Sequence, residues 1–172
     1  GLNRGLWALL IHDLPLAQSE LQAARQILDE LRDIMGQDLA LLRLGHLAWL
    51  KGVLEGAQEL YQRCLDARRT LDQKQEDGLE RVAHALGLVA CARAQWDVAK
   101  PWLLRAKQLF EKRREIPHCA TVCHNLMLLF REQGDLELAL DYKLQRDVFL
   151  GIDREGVSQG LLQATGFQPV LD

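Results

Sequence analysis

An internal repeat runs through this chain. Ala17, Ala57, Ala99 and Ala139 are separated by 40, 42 and 40 positions. Twelve positions ahead of them stand Gly5, Gly45, Gly87 and Met127, and four positions after them stand Leu21, Tyr61, Leu103 and Lys143. Seven positions after them stand Ala24, Cys64, Ala106 and Arg146. A large side chain thus alternates with small ones at fixed offsets, which is the mark of one supersecondary unit used repeatedly. Two helices approach to about 8 Å only where one offers Gly or Ala to the other. The Gly column in a first helix and the Ala column in a second helix mark that crossing. Each pair leaves an apolar face that only the next pair covers, so the units stack.

Composition says which element is repeated. The 172 residues include two Ser, three Thr, five Ile and eight Val, while Leu, Ala, Gln and Arg dominate. Strands favour β-branched and aromatic residues, which this chain mostly avoids. Side chains that lose little rotamer freedom in a helix fill it instead. The fold class is therefore all-α. Turn signals such as Gly52, Gln133-Gly134-Asp135 and the polar stretch 72–78 place first helices near 2–11, 37–51, 78–93 and 117–132. Second helices fall near 14–33, 54–72, 96–113 and 136–150. The units span about 1–36, 37–77, 78–116 and 117–155 of one repeat domain over 1–172. A capping helix is expected over about 157–166, after which the chain leaves through Phe167-Gln168-Pro169.

Leu86-Gly87 followed by Trp96, Ala99, Leu103 and Ala106 resembles the tetratricopeptide repeat, as does the turn Gln133-Gly134-Asp135-Leu136-Glu137-Leu138-Ala139. A period near 40, where the ordinary repeat has about 34, resembles the long-helix variety. The resemblance covers essentially the whole chain. It implies a right-handed superhelical solenoid of antiparallel helix pairs, about four repeats plus the C-terminal cap. It also implies a protein–protein interaction scaffold that binds a peptide or partner protein through its concave face, as a regulatory arm of a larger protein. Long-repeat members include scaffolds of G-protein regulators, kinesin light chains, bacterial peptide receptors and arms of bacterial transcription factors. A homo-oligomerisation module, or a peptide-sensing domain of a bacterial transcriptional or signalling regulator, is the alternative.

Departures from the pattern are specific. The proline that ends many repeats is absent, and Asp29, Arg69, Glu111 and Gly151 stand near its column. Met127 and Arg146 replace small residues in the fourth repeat, which predicts looser packing there. In the long variety an Asn often stands ahead of the Leu-Gly pair and grips a bound peptide backbone. That column reads Asn3, Arg43, Ala85 and Asn125.

The resemblance puts first helices on the concave face. Counting from the shared columns, the peptide-binding residues are Leu42, His46 and Trp49 in the second unit, and Arg81, His84 and Leu88, with Cys91, in the third. The fourth unit contributes His124, Asn125, Leu128 and Arg131, with Thr121. Histidines, arginines and a tryptophan on one groove suit an extended or helical peptide that carries acidic groups.

Other chemistries find little in the sequence. Cys64 in a small-residue column and the lack of a signal pattern favour reduced thiols. Cys119 and Cys123 stand four apart, flanked by His118 and His124, but the two histidines fall on different sides of a helix, so no metal and no cofactor is expected. No phosphate loop, nucleophile elbow or zinc-protease motif occurs, so no enzymatic activity is expected. Net charge is −3, and the basic clusters Arg68-Arg69 and Lys112-Arg113-Arg114 sit near helix C-termini, where cations oppose the helix dipole; no nucleic acid is expected. No apolar run is long enough to span a bilayer. The chain is expected to be a section of a longer, soluble, cytoplasmic protein, with homodimerisation the alternative use of its exposed ends.

Overall fold

The computed structural model describes residues 1–70, 78–152, 161 and 164–171. Among these residues all regular structure is helical: α1 (Leu2–Leu10), α2 (Leu14–Leu31), α3 (Ile34–Leu50), α4 (Leu54–Thr70), α5 (Leu79–Ala92), α6 (Trp96–Lys112), α7 (Ile116–Glu132) and α8 (Leu136–Ile152). The all-α expectation holds, and the helix boundaries fall close to those read from turn signals. The largest difference is the start of α3, three residues earlier than expected, because Asp33 caps it by accepting the Gly36 N–H at 3.0 Å. Contacts divide the helices into two compact units, α1–α4 and α5–α8, the second including the chain through Val170. Among the described residues no helix is long and apolar enough to cross a membrane.

Each helix pair turns in the same way. A residue in the left-handed region follows the first helix: His12 (φ 58°), Gly52 (φ 75°), Ala94 (φ 55°) and Gly134 (φ 80°). The next N–H then reaches five residues back, Asp13 to the Ala8 carbonyl at 2.8 Å, and Val53 to Ala48, Gln95 to Ala90 and Asp135 to Phe130 at 2.9 Å. This six-to-one closure satisfies carbonyls that the helix end leaves open. Asp13 and Asp135 then cap the second helices by accepting the N–H of Leu16 at 3.2 Å and of Leu138 at 3.1 Å. The connections α2–α3 and α6–α7 reuse the device at Arg32 (φ 54°) and Arg114 (φ 55°).

The repeat columns meet where the helices cross. A Cβ added at Gly5 would stand 2.5 Å from Leu21, and one at Gly87 would stand 2.7 Å from Leu103. At Gly45 it would overlap the Tyr61 ring. Leu21, Tyr61 and Leu103 are fully buried, and so are Ala17, Ala57, Ala99, Cys64 and Ala106. Burying one such large side chain stabilises the fold by about 1.5–3 kcal/mol. In the fourth pair Met127 is half-buried, and Lys143 stays exposed against Asp147 at 3.3 Å. Arg146 there is buried, 3.0 Å from His124. Helix α8 also leaves Leu136, Leu140, Leu144 and Val148 exposed, at intervals of four.

The basic clusters at helix ends reach carboxylates of neighbouring first helices. Arg68 pairs with the buried Asp38 of α3, whose carboxyl burial raises above the usual range against the pull of Cys64 and Arg68. Arg113 lies 3.6 Å from the buried Glu80 and 3.2 Å from Glu115, and Arg81 joins the same two carboxylates at 2.9 and 3.3 Å.

The expected capping helix over 157–166 lies largely outside the described residues. Of those described, Leu161 is helical and buried, whereas Ala164–Gly166 are not helical. The chain does not leave through Phe167-Gln168-Pro169, as its sequence suggested. It returns without regular secondary structure onto the second unit, where Val170 is buried and Phe167 packs beside Trp96 at 6.4 Å between ring centres. The physical reason is an apolar face that α5–α8 leave uncovered and that Phe167 and Val170 fill.

Candidate functional site

In the first unit the expected site residues all lie on α3. Leu42 and His46 are buried, and Trp49 is half-buried with a buried indole Nε1 that has no hydrogen-bond partner. His46 Nδ1 lies 2.7 Å from the Tyr61 hydroxyl, so the histidine fixes the ring that fills the α3–α4 crossing. Arg43 is also buried and donates to the Leu2 carbonyl at 2.6 Å, tying α3 to α1. An open groove of about 460 Å³ runs along the second-helix side, lined by Gln18, Gln22 and Arg25 of α2 and by Leu47, Val53 and Leu60.

The second unit brings several expected residues together. His84 and Leu88 on α5 and His124, Asn125 and Leu128 on α7 are all buried. Arg131 is exposed, and Arg81 is taken up by Glu80 and Glu115. Asn125 is the centre of the group. Its Oδ1 accepts the Gln168 N–H at 2.8 Å, and its Nδ2 donates to the Gln168 carbonyl at 2.8 Å. A backbone N–H only donates and a carbonyl only accepts, so these two bonds fix the amide's orientation. The second Nδ2 hydrogen then points at His84 Nε2, 2.9 Å away, which must present a lone pair.

His124 adds a third contact to the returning chain. Its Nε2 donates to the Gly166 carbonyl at 3.0 Å, while its Nδ1 accepts from Arg146 at 3.0 Å. Burial lowers its pKa below the usual imidazole value, against the Gly166 carbonyl, which raises it; Arg146 and Arg131 lower it further. The ring is therefore neutral at neutral pH. His84 and His124 each stand three positions ahead of the crossing column, Gly87 and Met127. The repeat thus delivers one imidazole and one carboxamide to the returning backbone, with a second imidazole, His84, behind the carboxamide.

Neither a protein-family model nor a curated protein matches this chain. What it can do is a matter of its own side chains. All four cysteines are buried and unpaired with one another. Burial pushes the Cys119 thiol to about 11 and those of Cys91 and Cys123 to about 12, and it raises Cys64, which donates to Asp38 Oδ1 at 2.7 Å. Thiols held protonated in this way are poor nucleophiles and poor metal ligands. Among the described residues no three His, Cys, Asp or Glu side chains converge as a metal site requires.

The sequence columns singled out His84, His124 and Asn125, which the fold brings close together, but not their partners. Gly166 stands where Gly87 does in the repeat, but Phe167, Gln168 and Val170 carry no periodic signal, and Pro169 marks only a non-helical segment. Arg146 looked like a broken packing column, yet it is the group that sets the His124 tautomer.

Proposed function

We propose that this chain is a tetratricopeptide-like array of helix hairpins, wound as a right-handed solenoid, that binds a peptide or partner protein as an interaction or regulatory arm of a larger protein. The single observation that carries this reading is the two-way bond between the Asn125 carboxamide and the Gln168 backbone. A side chain that pairs both the N–H and the carbonyl of one extended residue reads a main chain, whatever its side chains. The reading needs no cofactor and no catalytic group, and it places the work in the cytoplasm. A peptide library displayed on phage and panned on the purified chain tests it. Retained peptides are expected to bind at least about tenfold more weakly to Asn125→Ala, and those crossing the first unit to Trp49→Ala, with helicity unchanged. Retained peptides that ignore both variants would remove the basis for a first-helix binding face.

A second reading, homo-oligomerisation, is favoured by the exposed stripe Leu136, Leu140, Leu144 and Val148 on α8. An uncovered apolar stripe of this kind is a contact surface. Light scattering over a concentration series tests it: a mass that stays at one chain throughout rules self-association out.

A further inference from the structure

We infer that the segment Phe167–Val170 is an exchangeable occupant of the site formed by α5, α6 and α7, and that the ligand admitted in its place is an extended peptide carrying, in order, an aromatic residue, a residue with a free N–H, proline and a branched aliphatic residue. The inference rests on the reading of the chain as a peptide binder and names what it binds.

The occupant's chemistry is read from its contacts. Phe167 lies beside Trp96, and Val170 is buried in the core cluster, so the first and last positions are recognised by apolar contact. At the second position only the backbone is recognised, since both polar groups of Gln168 bond Asn125 while its side chain turns back to the Gly166 carbonyl at 2.9 Å. Proline follows for a physical reason. It has no N–H to leave unsatisfied, and it drives the residue before it into the extended conformation that Asn125 grips.

Exchangeability follows from how the segment is held. Among the described residues the segment 164–170 makes one backbone–backbone bond, Ala164 N–H to the Leu161 carbonyl, and none to α5, α6 or α7. Its hydrogen bonds to α7 come from the ends of two side chains, Asn125 and His124. Lifting it away breaks no helix ladder. It leaves a carboxamide and an imidazole facing the vacated groove, a donor and acceptor set that any extended backbone satisfies. A tethered occupant competes at high local concentration, so a free peptide meets an open site only part of the time.

The test uses a fluorescent peptide with the sequence of residues 164–171 and the full chain. The double variant Phe167→Ser, Val170→Ser vacates the site and is expected to bind this peptide at least about tenfold more tightly than the unaltered chain. Adding Asn125→Ala to that variant, or methylating the peptide nitrogen that corresponds to Gln168, is expected to abolish binding. In the unaltered chain the Gln168 amide is expected to exchange with solvent at least about a hundredfold faster than the Leu126 amide within α7. Equal binding to the vacated and unaltered chains overturns the inference, as does loss of the helical melt in the vacated variant or exchange at Gln168 as slow as at Leu126. If the vacated variant ignores this peptide yet holds library peptides through Asn125, the inference falls and the peptide-binding reading stands. If it holds neither, both fall.

Discussion

Asn125 on α7 donates an N–H to His84 Nε2 on α5 at 2.9 Å, reaching back one repeat to the preceding first helix. Arg43 stands in the same repeat column, and it too reaches back, to the Leu2 carbonyl of α1 at 2.6 Å. One column thus ties successive first helices together in each unit, with different chemistry. In the second unit the same carboxamide is also committed to the Gln168 backbone, so helix stacking and the returning chain share one side chain.

That sharing fixes the tautomer of His84, and Arg146 with the Gly166 carbonyl fixes that of His124. His84 accepts at Nε2 and is expected to carry its proton on Nδ1, while His124 donates from Nε2 and is expected to carry its proton there. The ring nitrogen shifts of the two histidines in long-range ¹H–¹⁵N spectra check this. Finding the same tautomer in both would mean that the Asn125 amide is turned the other way or that the Gly166 contact is absent.

Stability of the second unit should fall in mild acid. His124 has a pKa depressed by burial and by Arg146 and Arg131, so the unfolded chain binds the proton more readily than the folded one. Its contribution is fully present above the unfolded value of about 6.5 and is lost as pH drops from there through the folded value. The melting temperature is expected to be lower at about pH 5.5 than at pH 7, and His124→Gln should flatten that slope. An unchanged slope in the variant would assign the acid sensitivity to other groups.

Substitutions at the crossing glycines should differ in cost. A methyl at Gly45 meets the edge of an aromatic ring whose hydroxyl is bonded to His46, so that ring has nowhere to turn. At Gly87 it meets the Cγ and one Cδ of Leu103 at 2.7 Å and the Leu103 backbone nitrogen at 3.2 Å, and that aliphatic side chain, unlike the Tyr61 ring, has no hydrogen bond holding it in place. Overpacking costs about 1–3 kcal/mol. Gly45→Ala is expected near the top of that range and Gly87→Ala near the bottom, measured by urea unfolding. The reverse order would mean that Tyr61 yields more readily than Leu103.

The turn residues offer stabilisation. Ala94 adopts a left-handed backbone (φ 55°) at the position held by Gly52 and Gly134 in other hairpins. Ala94→Gly removes the Cβ strain and is expected to raise stability by about 0.5–1 kcal/mol. Gly134→Ala meets no atom within 4 Å, so its loss of about 1 kcal/mol would be purely backbone strain. Thermal melts of the two variants should therefore move in opposite directions.

The thiols should be silent in the folded chain. With pKa values of about 11 to 12 for Cys119, Cys91 and Cys123, at most roughly one part in a thousand is thiolate at pH 8, and all four side chains are buried. Ellman's reagent is expected to react with the native protein only as fast as it unfolds, and with four thiols in denaturant. A rapid native burst would reveal a cysteine within reach of solvent.

The helices and their crossings were legible because both are local. A Gly in a first helix meets the large residue sixteen positions on in the second, as Gly5 meets Leu21, Gly45 meets Tyr61 and Gly87 meets Leu103. Close approach imposes that offset on every pair, so it repeats in the sequence and can be counted. The start of α3 was misplaced because its cap, Asp33, acts through a single side chain that has no counterpart at a fixed offset in the other units.

Asn125 could be picked out by its column, but what it holds could not. Its partner Gln168 lies 43 residues away in a segment with no periodicity, and the pairing is between a side chain and a backbone, which any residue type supplies. The sequence by itself determined an all-α fold class, where most of the described helices start and stop, and which small residues lie at the crossings, because those are constraints between neighbours in the chain. The tertiary structure alone decided that the C-terminal segment turns back, that His84 and His124 serve opposite hydrogen-bonding roles, and that Asn125 pairs with the Gln168 backbone. Those outcomes depend on which apolar face and which buried polar groups were left uncovered once the helices had packed.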